Sequence, residues 1–255
     1  NSVVLSDAFV DAADADVIEL ANSTNTITAL DVSAVNALRS VVLSGTGQVT
    51  LSASGVVTMK AGVDVNIVGS SGADTFKTTE TGFTSADTLA GGAGTDTVYF
   101  SDAATITSAE LANKSGIEIL QLAASGNSIV LTDAFVSSAT GTTVTLNNSA
   151  NTITALDISA VTTAGNKVYI GGAGAVTLSA AATQLFLTDG VNTNVTVNAT
   201  ATTDTITGGT GNDTLTTHEA NFAAGDTYAM GTGTDTLVFS DAATITSAEL
   251  ANKSG

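Results

Sequence analysis

Aspartates recur at fixed steps beside glycine-rich stretches of this sequence. Steps of 13 and 9 residues occur twice, in Asp74, Asp87, Asp96 and again in Asp213, Asp226, Asp235. Asp64 and Asp204 precede these two sets by 10 and 9 residues. Glycine allows a turn to adopt positive φ and aim its carbonyls inward, an aspartate adds a carboxylate, and calcium takes six to eight oxygens. One turn supplies too few oxygens, so the spacing predicts calcium ions held between two stacked turns.

Four nonapeptides carry these aspartates. GGAGTDTVY (91–99) and GGTGNDTLT (208–216) fit the pattern G-G-x-G-x-D-x-apolar-x throughout, whereas GSSGADTFK (69–77) has Ser70 and MGTGTDTLV (230–238) has Met230 in place of a glycine. The apolar residue after Asp-Thr is predicted to point into a core. The predicted metal-binding positions are Gly69, Gly72, Asp74, Gly91, Gly92, Gly94, Asp96, Gly208, Gly209, Gly211, Asp213, Gly231, Gly233 and Asp235.

This motif resembles the RTX (repeats-in-toxin) family of calcium-binding β-rolls. The resemblance implies that successive turns alternate between two sides of a roll, so that Asp74 stacks with Asp96 and Asp213 with Asp235. Asp87 and Asp226 would lie on the other edge, together with Asp64 and Asp204. The turns TSAD and AAGD at that edge lack the glycine framework, and calcium binding there is left undecided.

Composition narrows the class of protein, and its acidic residues either keep the chain soluble or hold cations. The chain has 255 residues, no Cys and no Pro, and its 24 acidic against 6 basic residues give a net charge of −18. Such a balance disfavours nucleic acid and anionic membranes as partners. No apolar run approaches the roughly 18 residues of a membrane span. The absence of Cys excludes disulfides and thiolate metal sites.

The chain also contains a long internal repeat. SDAATITSAELANKSG occurs identically at 101–116 and 240–255, an offset of 139, whereas NTITALDVSAV (25–35) returns at 151–161 with an offset of 126. The offset therefore grows by 13, and twelve of these residues form about one strand plus its turn. We expect a first solenoid repeat unit at 1–126, with RTX turns at 69–99. A second unit is expected at 127–255, with RTX turns at 208–238, truncated at its C-terminus and continued in a longer parent chain.

A finer period of about nine residues lies within each unit. Strand-like pieces begin at Val49, Val57, Val65 and Asp74, in steps of 8, 8 and 9. Strands this short cannot build separate cores, but they can stack in parallel and form ladders of Val, Ile, Leu and Phe. The fold class is therefore predicted as all-β, a parallel β-solenoid (β-roll or β-helix), with an antiparallel sandwich as the alternative. Thr107 and Glu110 predict a capping box for one short helix per unit, ending near Gly116.

Catalytic motifs are not found. His218 is the single histidine, and the sequence has no G-x-S-x-G elbow and no phosphate-binding G-x-x-x-x-G-K-[ST] loop. We therefore expect no enzyme activity, no catalytic residue and calcium as the only cofactor.

The order of the segments between the calcium turns resembles repeat regions of bacterial surface-layer and large adhesin-like proteins. The resemblance implies type I secretion, folding outside the cell and localisation at the bacterial cell surface. The expected function is a calcium-rigidified extracellular module that builds a surface layer, filament or adhesin stalk with copies of itself, without inserting into a membrane. Cell-surface polysaccharide is an expected partner of regions outside this sequence. The alternative is the secretion and folding module of a type I-secreted enzyme or toxin.

Overall fold

The computed structural model describes residues 1–13, 16–36, 38–180, 185–188, 190–197 and 203–255. Within these residues every strand pairing is parallel, and successive strands alternate between two faces of a solenoid. The predicted all-β parallel solenoid is confirmed. Face 1 is one continuous stack of β2 (Val17–Ala21), the first half of β4 (Ser40–Leu51), β5 (Val56–Met59), β7 (Thr75–Thr78), β9 (Thr97–Phe100), β12 (Ile119–Leu122), β14 (Thr143–Asn147), β16 (Lys167–Ile170), β18 (Leu185–Leu187), β20 (Thr205–Thr207), β22 (Thr227–Ala229) and β24 (Lys253–Ser254).

Face 2 consists of two stacks that meet in one coil. The first stack holds β1 (Ser2–Ser6), β3 (Ile27–Ala34), the second half of β4, β6 (Val65–Val68), β8 (Thr88–Ala90) and β11 (Lys114–Ser115). The second stack holds β10 (Thr105–Ile106), β13 (Asn127–Thr132), β15 (Ile153–Ala160), β17 (Val176–Leu178), β19 (Asn194–Val197), β21 (Thr214–Thr217) and β23 (Thr236–Phe239). Both β10 and β11 lie between β9 and β12, so this coil joins the two stacks.

The core lies between the two faces and consists of rows of apolar side chains that point inward from equivalent positions of neighbouring strands. On face 1, neighbouring strands align Val57, Phe76, Val98, Leu120, Leu146 and Ile170 in register, and each is at most 1% exposed. Inward positions alternate with half-exposed ones, as the pleat of a strand requires. Each coil therefore buries its apolar side chains against the coils above and below rather than within itself.

The twelve-residue insertion in the second unit is half a coil. The VTLS strands at Val49 and Val176 lie on the same face, face 2, but the second unit then adds β19 before its Gly-Asp turns. The strands after the Gly-Asp turns are consequently β7 and β9 on face 1 in the first unit and β21 and β23 on face 2 in the second. One extra strand plus turn has moved the whole glycine-aspartate edge to the opposite side of the solenoid.

Short helices sit in the turns, and they differ in detail from the prediction. The Thr107–Glu110 capping box opens α2 (Ser108–Leu111), but α2 ends at Leu111 and Gly116 lies beyond β11 with φ +62°, so the predicted C-cap is wrong. Residues 247–250 of the second copy form turns rather than a helix. Helices α1 (Asp7–Asp11) and α3 (Asp133–Ser138) were not predicted, and 3-10 turns occur at Glu80–Gly82, Thr140–Thr142 and Glu219–Asn221.

Candidate calcium-binding turns

Asp74 and Asp96 belong to a ladder of buried carboxylates along one edge of the first unit. The backbone N–H of Asp74 donates to Oδ1 of Asp96 at 2.8 Å, and the N–H of Gly55 donates to Oδ1 of Asp74 at 2.8 Å. Both aspartates are at most 1% exposed. Each carboxylate thus ties its own coil to the backbone of the coil before it. The structure brings together the two residues that the β-roll resemblance stacks.

Glu118 extends this ladder by one more coil. Its Oε2 accepts a hydrogen bond from Asp96 N at 2.7 Å, and its Oε1 accepts one from Thr140 N at 2.6 Å. Sequence reasoning missed Glu118 because its turn, NKSGIE, lacks the glycine pattern. Its position 22 residues after Asp96, equal to the Asp74–Asp96 step, was the available signal.

The second unit carries an equivalent ladder. The N–H of Asp213 donates to Oδ1 of Asp235 at 2.9 Å, and the N–H of Thr193 donates to Oδ1 of Asp213 at 2.9 Å. Asp213 is buried and Asp235 is half-buried. Because of the half-coil insertion, this ladder runs along the edge opposite to the Asp74–Asp96 ladder.

The second carboxylate oxygens of these ladders are what a cation would fit. Oδ2 of Asp96, Asp213 and Asp235 is buried with no hydrogen-bond partner, whereas Oδ2 of Asp74 accepts a hydrogen bond from Ser70 N at 2.6 Å. Burial, with the added charges of Asp74 and Glu118, raises the pKa of Asp96 to about 6. Burial, followed by the charge of Asp235, also raises the pKa of Asp213. Among the described residues, none of the ion pairs involves these carboxylates. A divalent cation would supply the positive charge that such neighbouring buried carboxylates need.

The glycines keep the space between stacked turns open. A Cβ at Gly91 would lie 1.8 Å from the carbonyl oxygen of Gly116 and 2.7 Å from Oδ2 of Asp96. A methyl group there would therefore occupy the space that these two oxygens face. Gly94 has φ +120°, a conformation open mainly to glycine. The other stacked contacts of the predicted glycines join Gly69 with Gly91, Gly72 with Gly94, Gly92 with Ser70, Gly208 with Met230, Gly209 with Gly231, and Gly211 with Gly233.

Asp87 and Asp226 occupy the other edge of their units and are already satisfied by the protein. Oδ1 of Asp87 accepts from Val65 N at 2.8 Å, and its Oδ2 accepts from Thr84 N at 2.7 Å. Oδ1 of Asp226 accepts from the N–H of Asp204 at 3.0 Å, so these two aspartates are stacked. Its Oδ2 accepts from the N–H of the turn residue Ala223 at 2.7 Å and from the phenol of Tyr228.

Asp64 is not the counterpart of Asp204. The residue equivalent to Asp204 is Val65, since 65 and 204 are separated by the repeat offset of 139. The N–H of Val65 donates to Asp87 as that of Asp204 donates to Asp226. Asp64 lies one residue earlier and is exposed. The structure therefore brings Asp204 into a ladder and leaves Asp64 outside one.

Two asparagines replace the aspartates where the coils carry no Asp turn. Asn148 is fully buried, and its Nδ2 donates to the carbonyl oxygens of Asn151 at 2.8 Å and of Gly174, in the next coil, at 3.0 Å. Asn22 makes the equivalent bonds to Asn25 and Gly47 in the first unit. The sequence signal was GGAGAVTLS (171–179), which has the nonapeptide glycines but Val176 at the aspartate position.

His218 does not form a catalytic triad. Its side chain is 48% exposed, and its Nδ1 faces both Oγ of Ser240 at 3.2 Å and Oδ2 of Asp241 at 3.6 Å. A triad needs the serine and the acid on different ring nitrogens. Here both groups approach the same nitrogen, so the acid cannot orient the ring for proton transfer to the serine.

The ladders suit a cation that takes most of its ligands from the backbone. Among the described residues, no group of three or more acidic or histidine side chains converges on one point. A calcium ion between stacked turns would therefore combine a carboxylate oxygen, such as Oδ2 of Asp96, with turn carbonyls, such as that of Gly116. Calcium accepts such mixtures because it binds carboxylate and carbonyl oxygens with flexible geometry.

Fold and site together define a repeat solenoid whose stacked turns bring aspartate and backbone oxygens together. Residues 81–102 and 196–221 match the family described as the RTX calcium-binding nonapeptide repeat (4 copies). The chain carries RTX calcium-binding repeats, and its cofactor is calcium. The matched residues include Asp87, Asp96, Asp204 and Asp213 and leave the departing nonapeptides at 69–77 and 230–238 outside. No curated protein and no solved structure matches the chain significantly.

These repeats define the coarse function of the chain. It is a calcium-binding repeat module, and RTX repeats occur in secreted proteins. The RTX solenoid is a structural fold that is typically non-catalytic. None of the helices in the described part of the chain is long and apolar enough to cross a membrane.

Proposed function

We propose that this chain is an extracellular structural module that calcium makes rigid and that assembles with copies of itself into a surface layer, filament or adhesin stalk. The observation that carries the proposal is the set of buried, unpartnered carboxylate oxygens at Asp96, Asp213 and Asp235. They make the order of these coils depend on a cation. Calcium is plentiful outside cells, so folding and stiffening would follow export.

Each residue of the ladder has a defined part in this proposal. Asp74, Asp96, Asp213 and Asp235, with the glycine carbonyls of their turns, would hold calcium. Calcium would supply the positive charge that neutralises neighbouring buried carboxylates. The N–H to carboxylate bonds of the ladder fix each aspartate in place before a cation binds, which lowers the cost of organising the site. For Asp87 and Asp226 we propose no calcium, since their oxygens are satisfied and their turns lack the glycine framework. The oxygens of Asp74 also accept backbone N–H bonds, but its glycine turn stacks directly on that of Asp96, which has a free oxygen.

The long repeat favours a structural assembly over the secretion module of an exported enzyme. The stretches 101–116 and 240–255 are identical in sequence, and the solenoid continues through both units in one unbroken stack along face 1. A solenoid grows by adding coils without changing its cross-section, which suits stalks, filaments and lattices. We propose that the repeat units are residues 1–126 and 127–255, that the chain is exported by type I secretion, and that it resides at the bacterial cell surface.

Assembly and calcium dependence can be tested together. The purified chain is examined by analytical ultracentrifugation and negative-stain electron microscopy in calcium and in EGTA. We expect filaments, sheets or discrete oligomers in calcium and smaller species in EGTA. Dispersed monomers under all conditions would contradict self-association and favour the alternative of a secretion and folding module.

A further inference from the structure

A lysine lies inside the solenoid at the edge where calcium is not proposed. Lys114 occupies an inward-facing position of β11, in register with the fully buried Leu89 of the neighbouring coil. The lysine is 4% exposed. Lysine is almost never buried without partners for its ammonium group, because removing that charge from water is costly. The groups that contact its ammonium therefore indicate the structural role of this charge.

The ammonium group of Lys114 binds the turn that holds Asp87. Nζ donates to the carbonyl oxygens of Thr84 and Asp87, each at 2.7 Å, and lies 4.9 Å from the ring centroid of Phe83. A single positive charge is thus coordinated by two carbonyls of one turn from the strand of the next coil. A calcium ion between stacked turns would use carbonyl oxygens of the same kind.

The second unit repeats this arrangement at the offset of 139 residues. Nζ of Lys253 donates to the carbonyl oxygens of Ala223 at 2.7 Å and Asp226 at 2.9 Å. It lies 4.7 Å from the ring centroid of Phe222 and 5.3 Å from that of Tyr228. Lys253 is in register with buried Tyr228, as Lys114 is with Leu89. Two of the six basic residues of the chain therefore serve the same internal position.

We propose that the ammonium groups of Lys114 and Lys253 take the place of calcium at the Asp87 and Asp226 turns, so that calcium loads only one edge of each unit. The two edges differ in the way this requires. Asp96, Asp213 and Asp235 each have a buried oxygen without a partner, whereas both oxygens of Asp87 and Asp226 accept hydrogen bonds. On the calcium edge, Asp74 is the exception, since its oxygens accept from Gly55 N and Ser70 N. At the calcium edge, the G-G-x-G glycines open the space between stacked turns. The turns TSAD (84–87) and AAGD (223–226) lack this pattern.

This role of the lysines rests on the proposed calcium-dependent function and makes one edge of each unit independent of calcium. Because the half-coil insertion moves the glycine-aspartate ladder across the solenoid, the lysine-held edge also changes sides between units. Calcium would therefore stiffen one side of the solenoid in the first unit and the opposite side in the second.

The test combines calcium stoichiometry with stability in the full 255-residue chain. Asp96→Asn and Asp235→Asn are each expected to lower the number of calcium ions bound, measured by isothermal titration calorimetry. Asp87→Asn and Asp226→Asn, the matched pair at the other edge, are expected to leave that number unchanged. A fall in stoichiometry for Asp87→Asn or Asp226→Asn would overturn the assignment.

Lysine variants test the second half of the proposal. Lys114→Met keeps the aliphatic stem but removes the ammonium donor from the carbonyls of Thr84 and Asp87, and Thr84 O keeps only the long bond from Asp87 N at 3.3 Å. We therefore expect the same downward shift of the urea midpoint in calcium and in EGTA. An unchanged midpoint in EGTA would refute the role of the ammonium group. Lys253→Met repeats the test at an independent position if Lys114→Met does not fold. Should the wild-type chain bind no calcium, the proposed function fails, while the EGTA measurements still decide the role of the lysines.

Discussion

The asparagine turns and the aspartate turns differ in how they stabilise the oxygen atoms that stacking brings together. In both, the turns of neighbouring coils stack and bring oxygen atoms close together. At Asn148 a neutral amide donates to carbonyls of its own turn and of the next, at 2.8 and 3.0 Å. At Asp96 a carboxylate adds negative charge beside Asp74 and Glu118 instead. Each side chain has one buried oxygen without a partner, and only that of Asp96 belongs to a charged group.

This difference makes calcium dependence local rather than global. The asparagine turns hold the stacked carbonyls with a neutral amide N–H and add no charge, although Oδ1 of Asn22 and Asn148 is itself buried without a partner. The aspartate ladders place negative charges together instead, and these need an external positive charge. The two kinds of turn occur in separate segments, with Asn148 and Gly174 between the aspartate ladders of the two units. We therefore expect a solenoid whose segments respond differently to the same ion.

Removing calcium should have the largest effect and should separate the two kinds of turn. In EGTA we expect amide protection to fall at the glycine-aspartate turns, 69–76, 91–98, 208–215 and 230–237, while it persists at 143–178. Calcium at 100 times its dissociation constant contributes about 2.7 kcal/mol per site to folding. Hydrogen exchange with mass spectrometry, with and without calcium, measures both segments in one sample. Equal loss of protection across both segments would remove the distinction.

Replacing the ladder aspartates should weaken calcium binding without a general effect of charge. Asp96→Ala combined with Asp235→Ala removes one carboxylate from each ladder, and we expect the calcium concentration at half-maximal folding to rise about tenfold, equivalent to about 1.4 kcal/mol. Circular dichroism during a calcium titration gives this midpoint. The control, Asp31→Ala with Asp157→Ala, removes the same charge at half-exposed positions. A midpoint that moves equally in both double variants would contradict the assignment.

The asparagine turn should lose stability to the same extent in calcium and in EGTA. Asn148→Ala leaves the buried carbonyl of Gly174 and the half-buried carbonyl of Asn151 without this donor, which costs about 1–3 kcal/mol. Urea unfolding under both conditions measures the change in the free energy of unfolding. Asn147→Ala is the matched control, since the neighbouring Asn147 side chain is half-buried and accepts only a long bond from Ser149 N, at 3.4 Å. A loss seen in calcium alone would mean that this turn also depends on the ion.

The smallest expected effect is a pH dependence that belongs to the calcium-independent segment. The N–H of Thr163 is the main cause that holds the pKa of Asp133 well below its usual range, and the Asn166 amide and the N–H of Thr162 assist it. A lowered pKa in the folded state stabilises the fold above the unfolded pKa of about 3.9, and this stabilisation is lost as the pH falls through the folded value.

Thermal unfolding in EGTA between pH 7 and 2 tests this carboxylate. Asp133→Asn should lower the melting temperature slightly at pH 7 and should flatten the acid side of the stability profile. The small size follows from the solvent exposure of the carboxylate, which screens its interactions. A profile that is identical in shape to that of the wild-type chain would show that Asp133 does not contribute.

The nonapeptide glycines and the short strand period were sufficient to predict parallel stacking and calcium. Strands of three or four residues have no core of their own, so any fold that buries Val98 and Leu120 must stack coils. The capping box of Thr107 and Glu110 was also readable, because it depends on residues three positions apart. The end of that helix was not, because β11 requires an extended chain at Lys114 to pair with Leu89.

The sequence by itself determined the coil, its inward ladders and the chemistry of the glycine-aspartate turns, because these depend on residue types at short, regular spacing. Only the tertiary structure decided which groups meet across coils. Glu118, Lys114 and Asn148 act on residues 22 to 30 positions away, and their own turns do not mark them. The half-coil insertion also combines a property visible in the sequence with one that only the tertiary structure decides. Its length is visible in the sequence, but the side of the solenoid on which each ladder lies follows only from the alternation of strands between two faces.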